Sequence, residues 1–138
     1  NGEDDWATPG EKLYVAANEG RWGDIVLGIN LDAAGAVGGE TAISLYGVEP
    51  ALEATIRAVA ARHAGIVEGE AWFESDHGLF LMHGVPALAI TSTTFRELCA
   101  TVTHTALDTR DLADPAAIAG IARFLADLVA GLADATPD

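Results

Sequence analysis

The apolar positions of this chain alternate between two periods. Ile25-Val26-Leu27-Gly28-Ile29-Asn30-Leu31 is a run of strand length that ends on Asp32, and so unbroken a run predicts a buried central strand. Gly35, Gly38 and Gly39 mark a loop, after which positions 41–46 predict a second strand. Over 49–63 the period becomes helical. Leu52, Ile56, Val59 and Ala60 share one face, with Pro50 in the first turn and Gly65 past the end. Ile66 and Val67 begin a short third strand or an extended connection. Ser75-Asp76-His77 opens a short helix carrying Leu79, Phe80 and Met82, which stops at Gly84. Positions 86–91 form a fourth strand, opening on a proline as strands tolerate.

Helix-end signals complete the layout. Pro9 in a first turn, Thr8 before it and Gly20 beyond predict a helix over 9–18. A helix over 95–102 leads to His104 and a polar loop at 105–111. In the last helix Asp114 is the cap, Pro115 takes the first turn, and Ile118, Ile121, Leu125, Leu128 and Leu132 form the buried stripe, joined by Phe124 and Val129. Strands that alternate with helices imply an α/β fold, a three-layer sandwich whose mostly parallel or mixed sheet is flanked by helices. In such sheets ligands sit beyond the carboxyl ends of the strands, where Asp32 and the loop holding His104 both fall.

Composition narrows the classes. The chain has 138 residues, half of them hydrophobic, enough for one domain with a real core. Its net charge of −14, from 21 acidic and 7 basic side chains, repels nucleic acid and anionic membrane surfaces, so neither is expected as a partner. Cys99 is the single cysteine, which excludes a disulfide framework and a Cys-rich zinc site. Apolar stretches are broken by Asp, Arg or Gly before the ~18 residues of a membrane span. Cytoplasmic and secreted locations both stay open, because any targeting signal would lie upstream of Asn1.

Glu3-Asp4, Asp32, Asp76-His77 and His104 belong to no charge run, so each needs its own reason. Taken singly they have plain ones: vicinal acids are ordinarily solvated, Asp ends strands as a turn residue, and His77 is a helix-start residue. His63 and His83, at helix ends, read as structural or exposed. Their order along the chain says more. Asn1-Gly2-Glu3-Asp4 precedes Pro9-Gly10-Glu11 and Leu13-Tyr14; then come Asn30-Leu31-Asp32, and Ser75-Asp76-His77 with Phe80 and Gly84-Val85-Pro86-Ala87. His104-Thr105 with Asp108-Thr109 closes the series. Over almost the whole length, this resembles the dinuclear-zinc aminopeptidases.

The resemblance implies hydrolysis of N-terminal peptide bonds by metal-activated water, with two zinc ions in the complete site and a peptide as substrate. It implies Glu3 as the general base, Asp4 and His104 as ligands of one metal, and Asp32 as a ligand of the other. Asp76 would hydrogen-bond the carboxylate cluster, His77 would lie behind it, and Asp108 or a backbone carbonyl would orient the His104 ring. This chain departs from the pattern where Asp4 replaces the commoner Glu, Ala33 a Met and Thr103 a Tyr. The upstream His-x-Asp and bridging Asp are absent, since no His occurs before His63. Residues 1–138 are therefore expected to be the C-terminal portion of a single catalytic domain, the N-terminal part missing and the fragment alone inactive. An open sheet edge would then invite a homodimer or a companion N-terminal fragment. Two alternatives share the fold: a glutaminyl-cyclase-like acyltransferase using one zinc, and a non-catalytic binding or dimerisation domain.

Overall fold

A computed structural model describes residues 8–135 of the chain. In order, the elements are α1 (Pro9–Ala17), a 3-10 turn (Trp22–Asp24), β1 (Gly28–Leu31), β2 (Thr41–Tyr46), α2 (Pro50–Ala60) and β3 (Ile66–Glu68). They continue with α3 (His77–Met82), β4 (Ala87–Ser92), α4 (Phe95–Thr101), a second 3-10 turn (Arg110–Leu112) and α5 (Pro115–Ala135). The four strands form one mixed sheet in the order β1-β4-β2-β3. β1 runs parallel to β4 and β2 parallel to β3, while β2 and β4 are antiparallel, with Thr41 opposite Ser92. The carboxyl ends of β1 and β4 and the start of β2 therefore meet at one end of the sheet.

Side-chain alternation divides the core in two. Leu88 and Ile90 of β4 and Ile43 of β2 face α2 and α5, where Ile56, Val59, Phe124 and Leu128 complete the larger cluster. Ala87 and Ala89 of β4 and Tyr46 of β2 point the other way, to Trp72, with Phe80, Leu81 and Phe95 packed alongside. Helices thus cover both faces, as the alternation of elements predicts. The small residues on the second face have a reason: a Cβ at Gly28 would lie 2.4 Å from the Phe80 ring, so α3 approaches the backbone of β1 directly.

Several expectations change. The apolar run 25–31 is not a central strand: only Gly28–Leu31 pairs, and β1 lies at one edge of the described sheet with Leu31 exposed. β4, buried at all six positions, takes the central place. A continuous apolar run reports burial on both sides of a strand, and here residues 25–27 approach the sheet without joining its ladder. On α5, Ile121, Phe124 and Leu128 are buried while Ile118 and Val129 are exposed, so the buried stripe is narrower than its apolar residues suggest. By length and composition alone, Pro115–Ala133 would suffice to cross a membrane, yet its buried stripe belongs to the larger core cluster. Asp114 caps this helix as expected, its Oδ1 accepting the Ala116 amide at 2.8 Å and the Ala117 amide at 3.4 Å. Thr8 occupies the N-cap position of α1 but makes no side-chain capping bond.

Candidate functional site

A cavity of about 760 Å³ opens at the sheet end where β1 and β4 terminate. β1 delivers Asn30, Leu31 and Asp32 to its wall, the segment before α3 delivers Glu74, Ser75 and Asp76, and the turn after α4 delivers Thr103 and His104. Three of the acids and histidines singled out in the sequence, Asp32, Asp76 and His104, thus line one space although they come from distant parts of the chain. Asp108 is exposed and is not part of this lining. Glu3 and Asp4 lie outside the described residues.

Asp32 is held from behind. Its Oδ2 accepts a 2.8 Å hydrogen bond from Ser75 Oγ, and Ser75 Oγ accepts one of 2.9 Å from Asn30 Nδ2. The same Asn30 amide lies 3.3 Å from His77 Nδ1, while His77 Nε2 lies 2.7 Å from the Trp72 carbonyl oxygen. A carbonyl only accepts and an amide nitrogen only donates, so one tautomer satisfies both contacts: Nε2 carries the proton and Nδ1 accepts. Tyr46 adds a brace, its hydroxyl donating to the Trp72 carbonyl at 2.5 Å and accepting the Trp72 amide at 2.8 Å. His77 is fully buried with both ring nitrogens engaged, so it stands behind the cavity rather than on it, linked to Asp32 through two side chains.

Asn30 and Ser75 are the members that sequence reasoning passed over. Both sat inside recognised motifs, but an uncharged residue beside an Asp carries no chemical signal until its partner is known. Period-2 alternation could have found Asn30: it shares the β1 face with Gly28, the face that meets α3. Ser75→Ala should therefore lower kcat/KM of the full-length protein by about 10- to 100-fold, by freeing the Asp32 carboxylate, with little change in Tm. A steady-state assay beside a melting curve checks this, and unchanged kinetics would separate Ser75 from the site.

Backbone geometry singles out the same cavity. Among the described residues, three non-glycine positions have left-handed backbone: Thr8 (φ 44°), Ala33 (φ 50°) and His104 (φ 61°). All three line this cavity. Such conformations cost of order 1–3 kcal/mol each and persist only where surrounding structure enforces them. At position 33 the turn redirects the chain directly after Asp32, and at position 104 it presents the imidazole at the cavity.

Glu11, Asp32, Glu74 and Asp76 make the lining acidic, with Arg96 the one Lys or Arg among its described residues. Such a wall favours cations and ammonium groups. It does not by itself make a zinc site: among the described residues, no three His, Cys, Asp or Glu side chains gather closely enough to hold a metal ion, and zinc ordinarily takes three or more protein ligands. Asp32 and His104 are two groups of the right chemistry, short of that number.

No curated protein and no solved structure matches the chain. A family model, Peptidase family M28, matches residues 1–129. That match takes in Asp32, Asp76 and His104 together with the sheet and helices that bring them to one cavity, and the chain belongs to peptidase family M28, a family of metal-dependent peptidases.

Proposed function

We propose that the full-length protein is a metal-dependent aminopeptidase, releasing the N-terminal residue of peptides. The observation that carries this reading is the gathering of Asp32, Asp76 and His104 around one acidic cavity. Asp32 and His104 are assigned as cation ligands together with Asp4, and Glu3 as the base. Asp76 supports the carboxylates from the same wall. Held by these ligands, a zinc ion would supply a lowered pKa for bound water and polarisation of a carbonyl. The chain's own contribution is orientation: the His77–Asn30–Ser75 series fixes the rotamer of Asp32, and the left-handed turn fixes the approach of His104.

Restriction to N-termini follows from charge. Glu11, Glu74 and Asp76 line the cavity with carboxylates, whose negative charge suits a protonated α-amino group and loses that attraction when the group is blocked. Acetylating the N-terminus of a peptide substrate should therefore lower kcat/KM by at least about 30-fold. Exhaustive chelation should abolish turnover, and added zinc should restore it. Equal turnover of free and acetylated peptides would remove the aminopeptidase reading, and chelator-resistant turnover would remove metal dependence.

A further inference from the structure

The hydrogen bonds behind Asp32 have a direction as well as a position. At their inner end the Trp72 carbonyl only accepts, so His77 Nε2 donates to it, and Nδ1 is left as the acceptor for the Asn30 amide. That contact turns the Asn30 nitrogen, rather than its oxygen, towards Ser75 as well. Ser75 therefore receives a proton from Asn30, and the single proton of its own hydroxyl is committed to Asp32 Oδ2. A neutral, fully buried imidazole thus sets which way the last hydrogen bond points.

A second proton on His77 reverses that order. Both ring nitrogens then donate, and Nδ1–H faces the Asn30 nitrogen, donor against donor, at 3.3 Å. Turning the amide over puts its oxygen there, and the same oxygen then faces Ser75 Oγ, which lies 2.9 Å from that amide position. Ser75 stands between two acceptors, the Asn30 oxygen and the Asp32 carboxylate, with one proton to give. Either it turns that proton to Asn30, or it keeps it on Asp32 and is pushed off by the bare Asn30 oxygen; both release Asp32 from its fixed position. The other titratable groups near the ring are few. β1 and β4, which pack against α3, carry none within their ladders. β2 brings Tyr46, its hydroxyl bound to Trp72, while the segment before α3 brings Glu74 and Asp76 on the cavity wall and Glu70 paired with Arg96.

We infer that His77 is a pH-responsive positioning residue of this site: neutral, it holds the hydrogen-bond series closed onto Asp32, and protonated, it opens the series at Ser75. The inference rests on the reading of Asp32 as a cation ligand. A carboxylate that loses its one fixed donor is free to leave the rotamer that faces the cavity. The sign follows from the donor count: the support is complete while His77 is neutral, is lost as pH falls and the ring takes up its proton, and returns as pH rises.

The test joins NMR to pH profiles of the full-length protein. With the histidine rings labelled, His77 is assigned through its contacts with Tyr46 and Trp72 and followed from about pH 8 to about pH 5, the span in which histidines ordinarily take on charge. It should carry a proton on Nε2 alone at the upper end and on both nitrogens at the lower, and the Asn30 side-chain amide signals should move with it. Over the same span kcat/KM should fall about tenfold through this group, the scale of one lost hydrogen bond. His77→Asn, whose Oδ1 takes the place of Nδ1 as an acceptor that cannot be protonated, should lessen the acid fall by that factor. Ser75→Ala, which cuts the series, should lessen it equally, whatever its activity at neutral pH. A His77 ring that keeps one tautomer throughout the acid fall, or a fall as steep in Ser75→Ala as in the unaltered protein, would overturn the inference. Absence of peptide turnover would overturn the peptidase reading instead. The NMR titration needs no turnover, and Asn30 signals that stay still while His77 takes up its proton would overturn the inference by themselves.

Discussion

Glu3→Gln in the full-length protein is expected to lower kcat by about 10²- to 10⁴-fold, the range set by removing a general base. Glutamine keeps the length and shape of the side chain but cannot take up a proton, so the change deletes the chemistry and spares the packing. Metal content should stay as in the unaltered protein, because the role assigned to Glu3 is the base and not a ligand. Asp4→Asn is the informative companion: as a ligand it should lose metal together with turnover. Elemental analysis of both variants beside their kinetics separates the two carboxylates. A Glu3→Gln protein within tenfold of the original kcat would take the base away from this position.

The largest effect on stability is expected at Phe124. This ring is fully buried at the centre of α5, within the cluster that joins α5 to α2 and the sheet through Ile56, Leu88 and Ile90. Phe124→Ala removes most of a large side chain from a site surrounded on several sides, where collapse is limited, and should cost about 3–5 kcal/mol. Against a total stability of roughly 5–15 kcal/mol for a domain, that is a large fraction of the whole. Ile118→Ala, on the same helix but 47% exposed, is the control and should cost about 1 kcal/mol or less. Urea unfolding of both variants measures the difference; similar midpoints would show that α5 does not seal the core through Phe124.

Element types were legible in the sequence because their signals are local. Pro9, Pro50 and Pro115 announced helix starts that the structure places at those residues, and the alternation of elements implied the two-sided sheet. Strand order was not legible. The strength of the run 25–31 pointed to the sheet's centre, whereas β4, with its shorter Ala-Leu-Ala-Ile pattern, lies between β1 and β2. Small residues there reflect helices pressing on the strand, a tertiary fact that no local pattern carries.

The candidate site was legible to a similar extent. Asp32, Asp76 and His104 stood out because a charged or titratable side chain at an element end requires a reason. His77 is linked to Asp32 through Asn30 and Ser75. The route itself was hidden: a hydrogen-bond series between β1 and the start of α3 depends on the face that each residue presents.

The left-handed turns at Thr8, Ala33 and His104 bear on how this protein can be altered. Glycine would relax each of them, and a redesign that ranks positions by folding energy alone would exchange these three early. At position 104 that exchange deletes the imidazole. At position 33 it gives the chain after Asp32 freedom to wander. The thermostable product of such a redesign would keep its sheet and helices and lose the cavity's shape, so a protein engineered for shelf life should have these positions fixed by hand.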